Sequence, residues 1–201
     1  MSLDLPAADG PTNMAADAAL LSLARQSGCH HRVYLWEGPW VSLGQFQNPH
    51  EAVVAGFQNW LQRPTGGKAV LHGHDVTVAI AIPFEGRTVK EAYRRTATPI
   101  VEALRTCGLP ASFSISQSNS LQADCFASSS PYDVIHEQTG QKVAGCAMRV
   151  AQGALLLQAS VPYKAPLVDP ATAIVGAVAT KIEEWDSESF PKALREALRS
   201  L

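Results

Sequence analysis

The chain has 201 residues, 46% hydrophobic and 17% charged, with a formal net charge of −2. Such a composition buries a proper core, and the length favours a single domain over residues 1–201. Lysines and arginines are scattered without excess, which argues against nucleic acid as a partner, and no apolar run approaches the roughly 20 residues of a membrane helix. The early acids Asp4, Asp9 and Asp17 come with no positive cluster, which argues against export. Cys29, Cys107, Cys125 and Cys146 form no CxxC pair and are too sparse for a disulfide scaffold, so reduced thiols and a cytoplasmic location are expected.

In chain order, "TNMAADAALLSLARQ" places Met14, Ala18 and Leu21 at helical spacing, with Thr12 or Asn13 able to cap its start. "RVYLW" and "WVSLG", separated by "EGP", predict a hairpin. A short helical stretch near "PHEAVVAG" leads through "FQNWLQ" to the loop "RPTGG". "AVLH" and "DVTVAIAIP" predict a second hairpin, Val76, Val78 and Ile80 sharing a face. "TVKEAYRRTATPIVEALRTCG" predicts a helix closed by Gly108, with Pro99 expected to kink or break it. Strands follow at "YDVIHE", "QKVAGCAMRV" and "ALLLQASV", the first two joined by "QTG". "DPATAIVGAVATKIEEW" and "ESFPKALREALRSL" predict a longer and a shorter helix. The sum is an α+β fold, a mixed and mainly antiparallel sheet with flanking helices on one side.

The loop at "RPTGGKAVLH" is not a P-loop, because Gln62 stands where the first glycine belongs and Ala69 where the magnesium-binding hydroxyl belongs. His72 and His74 would share one face of an extended segment and Asp75 the other; no third ligand is at recognisable spacing, so no metal site is expected. Cys29, Cys107 and Cys146 read as small buried hydrophobes. Cys125 differs, lying in the polar, small-residue loop "QADCFASSS", where a nearby cation would favour an attacking thiolate. Taken alone, Lys142 reads as an edge-strand lysine and Gly66, Gly67 and Gly145 as turn or bulge residues.

The order of "DGPTNMAADAALL", "VSLGQFQNP", "RPTGGKAVLHGHDVT" and "GQKVAGCAMR", from about residue 9 to about residue 163, resembles the biotin/lipoate protein ligase catalytic domain family. The resemblance implies the sheet of the class II aminoacyl-tRNA synthetase and biotin synthetase core. Cys125-Phe126 ahead of Lys142-Val143-Ala144-Gly145 is most similar to the cysteine-dependent octanoyltransferases. It then implies Cys125 as nucleophile and Lys142 as the cation that steadies the thiolate or the acyl carbonyl. Arg63, Thr65, Gly66, Gly67, Lys68, His72, Gly145 and Ala147 would bind the acyl substrate. The implied donor is octanoyl-acyl carrier protein, and the implied acceptor a lysine of a glycine-cleavage H protein or another lipoyl domain, with no cofactor. The alternatives are a lipoate-protein ligase using ATP and Mg2+, and a non-catalytic paralogue that binds an acyl ligand or a lipoyl domain. Cys146, Met148 and Gln158 depart from the family's usual residues.

Overall fold

The computed structural model describes residues 3–26, 28–85, 88–115, 122–127, 132–179 and 181–201. Strand β6 (Asp75–Pro83) is the organising element: Val76, Val78, Ile80 and Ile82 enter one apolar cluster, while Ala79 and Ala81 on the opposite face enter another. A strand buried on both faces belongs at the middle of a sheet. β6 pairs antiparallel with β2 (His30–Trp36) on one side and with β10 (Ala154–Pro162) on the other. β10 continues to β9 (Lys142–Ala151) through Gln152 and Gly153, both at positive φ, the two-residue turn that matches strand twist. β8 (Val134–His136), β7 (Ala111–Phe113) and the short parallel β1 (Ala7–Ala8) complete seven strands in the order β1-β2-β6-β10-β9-β8-β7.

Helices cover both faces of this sheet, where one face was expected. α3 (Val89–Thr106) and α4 (Phe190–Ala197) bury Ile100, Leu104, Phe190 and Leu194 against Val78, Ile80, Leu155 and Leu157. α1 (Gly10–Gln26) lays Met14, Leu20, Leu21 and Ala24 on Tyr34, Trp36, Ala79 and Leu156 of the other face. Both faces carry apolar β6 and β10 side chains, Val78, Ile80, Leu155 and Leu157 on one and Ala79, Ala81 and Leu156 on the other, so each needs a cover. Asp9, not Thr12 or Asn13, caps α1, its Oδ1 accepting from the Thr12 amide at 2.8 Å. Asn13 instead donates to the Ala8 and Leu35 carbonyls, tying the helix to β1 and β2.

Pro99 does not break α3, because the buried run Ala97 to Leu104 holds the helix against the sheet and outweighs a local cost of about 3 kcal/mol. Gly108, at φ +85°, closes α3 as expected: its amide bonds Arg105 and the Leu109 amide bonds Leu104.

Neither expected hairpin around the loop forms. β3 (Trp40–Leu43), β4 (Trp60–Gln62) and β5 (Val70–His72) build a separate three-stranded sheet, so the chain changes sheets between β2 and β3 and again between β5 and β6. The corners meet: a Cβ at Gly73, itself at φ +100°, would lie 2.5 Å from the Gly38 carbonyl oxygen. The short helix α2 (Pro49–Ala52) falls where expected, between β3 and β4.

The longer C-terminal helix is also absent. After a single 3-10 turn at Pro170–Thr172, Ile174 bridges antiparallel to Val53 and buries with Val41, Leu43 and Leu71 over the small sheet. Gly176, at φ +69°, turns the chain away.

Candidate active site

The "RPTGG" loop is held from within by Arg63. Its guanidinium donates to the Ser42 carbonyl (2.9 Å) and Oγ (3.3 Å), to Thr65 Oγ1 (3.1 Å), and to the Gly66 (2.6 Å) and Lys68 (2.8 Å) carbonyls. Burial lowers its pKa from the ordinary arginine value, with Cys125 and Tyr93 acting in the opposite direction. Gly67, at φ +88°, passes so close to Gly44 that a Cβ on Gly44 would overlap the Gly67 carbonyl oxygen. Gly44 and Gly67 thus serve close backbone packing.

Cys125 opens the 3-10 turn Cys125–Ala127 directly beside β5. The Ala69 amide bonds the Ala123 carbonyl and the Cys125 amide bonds the Ala69 carbonyl, both at 2.9 Å. Buried Asp124 accepts from the amides of Phe126 (3.0 Å) and Val178 (3.1 Å), so three chain segments fix the turn. Residues 128–131 of the cysteine-bearing loop lie outside the described residues.

Lys142, the first residue of β9, reaches this turn. Its Nζ donates to Cys125 Sγ at 3.3 Å, to the Cys125 carbonyl at 2.8 Å and to Asp133 Oδ2 at 2.7 Å. Lys142 and Asp133 are 7% and 3% exposed, so this is a buried ion pair. Burial works against the ammonium, but Cys125 and Asp133 outweigh it and raise its pKa above the ordinary lysine value. Gly145 stands opposite: a Cβ there would lie 3.0 Å from Cys125 Sγ.

The sulfur faces a small cavity of about 40 Å³ between the two sheets, walled by Met14, Tyr34, Trp36, Val70, Gly145, Ala147 and Ala159 among others. Its surface is mainly apolar, as an alkyl chain requires. Polar groups in the wall are tied to one another. Thr65 donates to Gln158 Oε1 at 2.7 Å, and Gln158 Nε2 donates to Asp17 Oδ2 at 2.6 Å. Asp17 also accepts from Tyr34 (2.7 Å) and Arg32 (2.6 Å); burial nevertheless raises its pKa.

On another wall, Ser42 Oγ lies 2.8 Å from His72 Nε2, and His72 Nδ1 lies 2.8 Å from Asp75 Oδ2. The Trp36 ring stacks on the imidazole with centroids 4.0 Å apart.

Of the residues singled out from sequence, Cys125, Arg63, Gly67, His72, Gly145 and Ala147 line the cavity, with Lys142 at the sulfur. Thr65 stands behind the wall, while Gly66 and Lys68 contribute carbonyl oxygens to the Arg63 clamp. Asp75 points towards His72, not away, because Gly73 breaks the alternation between them. Among the described residues no group of three or more His, Cys, Asp or Glu side chains could hold a metal.

Cys146 lines the cavity as well as packing against the α3 side, and burial, with Asp133 nearby, pushes its thiol well up. His136 caps the β8–β9 turn, its Nδ1 accepting from the amides of Gln138 and Thr139. Sequence reasoning missed Asp133, Ser42, Tyr34 and Trp36. Ser42 lay inside the quoted "VSLGQFQNP" stretch, and Asp133 was visible only as one of two acids in "YDVIHE".

The pattern described as the lipoyl protein ligase A/B catalytic domain matches residues 9–201. Proteins named octanoyltransferase LipM from Anoxybacillus flavithermus and Bacillus subtilis are each 34% identical over 168 residues, 74% of this chain and 60% of theirs. The chain thus spans about 60% of the length of these curated relatives. A crystal structure of lipoate-protein ligase A bound with ATP superposes with a TM-score of 0.76 at 21% identity, covering 98% of this chain and 83% of that one. A bipartite lipoate protein ligase from Thermoplasma acidophilum, studied with its E2 lipoyl domain, gives a TM-score of 0.70 at 19% identity, covering 99% and 84%. The fold is that of the lipoate protein ligases, and no helix among the described residues is long and apolar enough to cross a membrane. By the span of the matched pattern, from residue 9 to residue 201, the chain belongs to the lipoyl protein ligase A/B catalytic domain family.

Proposed function

We propose that this chain, as a single catalytic domain, transfers an octanoyl group from acyl carrier protein to a lysine of a lipoyl domain, through a thioester on Cys125. The observation that carries the reading is the 3.3 Å approach of Lys142 Nζ to Cys125 Sγ at the wall of an apolar cavity. The sulfur, as thiolate, forms a bond to the acyl carbonyl carbon while the carrier's C–S bond breaks, and the carrier leaves as a thiolate that takes a proton from water. A lysine amine of the acceptor, an H protein or other lipoyl domain, then forms the C–N bond and the Cys125 C–S bond breaks. Amide formation from a thioester is downhill, so the cycle needs no nucleotide or metal. The names of the LipM relatives support this reading, as does a Cys-Lys pair that adenylation would not require. Cytoplasm is the matching compartment, since reduced thiols are needed.

The shape shared with an ATP-bound ligase supports a second reading, activation of free lipoate or octanoate with ATP and Mg2+. Incubation with a lipoyl domain and either octanoyl-acyl carrier protein or free octanoate plus ATP separates the two. Acylation of the lipoyl domain from the carrier without ATP, lost in Cys125→Ala, is the expected result. Acylation only from the free acid with ATP, unaffected by that substitution, overturns it in favour of the ligase. Saturable binding without acylation under either condition identifies a non-catalytic paralogue.

A further inference from the structure

The transfer proposed above leaves a proton unaccounted for. An acceptor lysine arrives as an ammonium carrying two hydrogens more than the amide nitrogen it becomes. One can pass to the sulfur as the C–S bond breaks; the other needs a base.

The titratable groups at the cavity differ in whether they can serve. Lys142 is already an ammonium, clamped to Asp133, and Arg63 is a guanidinium spent on carbonyl and hydroxyl oxygens. Tyr34 donates its phenol hydrogen to Asp17, and burial and that carboxylate keep it protonated. Burial keeps Cys146 a thiol. His72 has the lone pair the reaction needs. Its Nδ1 faces Asp75 Oδ2, which also accepts from Thr77 Oγ1 (2.9 Å) and Ser160 Oγ (2.6 Å), while Asp75 Oδ1 accepts from the Gly73 amide (3.2 Å). A carboxylate surrounded by donors fixes the hydrogen on Nδ1, and Nε2 is left as the acceptor facing Ser42 Oγ. Burial would raise the carboxyl of Asp75, but His72 and the hydrogen bonds hold it well below the usual carboxylate range, so it stays anionic. The charged or titratable groups facing His72 are therefore Asp75, the neighbouring His74 and, through Ser42, Arg63.

We propose that the Ser42–His72–Asp75 chain removes the proton released when the acceptor lysine displaces Cys125 from the acyl group. The amine's proton passes to Ser42 Oγ as the Ser42 hydroxyl hydrogen passes to His72 Nε2, and the resulting imidazolium is paired with Asp75. The hydroxyl is regenerated in the same step, and the imidazolium returns its proton to water after the product leaves. Ser42 and His72 both line the cavity that holds Cys125, whereas Asp75 acts through His72 and is a positioning residue.

The inference rests on the transfer reading, and its test separates the two. Enzyme is first acylated on Cys125 with octanoyl-acyl carrier protein and followed by intact mass, then chased at neutral pH with either a lipoyl-domain lysine or hydroxylamine. Hydroxylamine is already unprotonated there, so its one surplus proton can leave with the sulfur. His72→Gln is expected to slow the lysine chase about 100-fold relative to the hydroxylamine chase, the scale of a general base. Ser42→Ala, which keeps the His72–Asp75 pair, is expected to change the same ratio in the same direction. If both chases slow equally in both variants, or neither changes, the relay is refuted and the residues only shape the wall. Failure of the wild type to acquire an acyl group on Cys125 instead refutes the transfer reading, and the relay with it.

Discussion

The ammonium of Lys142 lies 3.3 Å from the sulfur of Cys125 and 2.8 Å from that residue's carbonyl oxygen, so one side chain fixes both the backbone and the reactive atom of the candidate nucleophile. Lys142 is in turn held at 2.7 Å by Asp133, the residue just before β8, the strand paired with its own.

Removing one member of that buried pair should therefore cost stability as well as chemistry. Lys142→Met is expected to destabilise the fold by about 3–5 kcal/mol, because the buried Asp133 carboxylate loses its ammonium partner. The double variant Lys142→Met with Asp133→Leu should recover most of that loss in denaturant unfolding, with no recovery in the rate of Cys125 acylation. Recovery of both would make the pair purely structural.

Gly145 tests the room around the sulfur. A methyl group there would sit 3.0 Å from Cys125 Sγ and 3.7 Å from Lys142 Cε. Gly145→Ala should slow acylation by about 10-fold or more, since small misplacements of a reacting atom are costly. Its thermal midpoint should change little; a large drop would show that the strand, not the thiol, takes up the strain.

Acid stability should report on Asp75. Its folded pKa lies below that of an unfolded aspartate, about 3.9, so its contribution is complete above that value and is lost as the pH falls from there towards the folded pKa. Asp75→Asn should be less stable than wild type at neutral pH and show a flatter decline over the acid range, measured by urea unfolding across roughly pH 2 to pH 5. A wild-type slope retained in the variant would remove Asp75 from the acid transition.

Gln158 joins Thr65 to Asp17 across the cavity wall. Gln158→Leu leaves both partners short of a hydrogen bond and should cost about 1–3 kcal/mol in denaturant unfolding. An unchanged midpoint would mean that the wall repacks or admits water.

The candidate site was more legible than the path of the chain around it. The Cys125-Phe126 pair and the Lys142-Val143-Ala144-Gly145 run are contiguous, and backbone pairing of Ala69 with Cys125 draws the cysteine turn to the loop. What sequence could not supply was strand partnership. The alternation of "RVYLW" and "WVSLG" is the same whether they pair with each other or with strands elsewhere, and the turn residues Gly38 and Gly73 serve a change of sheet as well as a hairpin. Likewise the apolar residues of "DPATAIVGAV" satisfy helical spacing, yet Ile174 is spent covering the small sheet in extended form. Asp133 escaped notice because an ion pair between a bend and a strand nine residues on has no local signature.

The most direct test is peptide mapping of the enzyme after brief exposure to octanoyl-acyl carrier protein without ATP. A gain of about 126 Da, the mass of an octanoyl group replacing a thiol hydrogen, on the peptide carrying Cys125 and its absence in Cys125→Ser is the result expected of a covalent acyl transferase. The same gain on Cys146, or none on any cysteine while the lipoyl domain still becomes acylated, would contradict it.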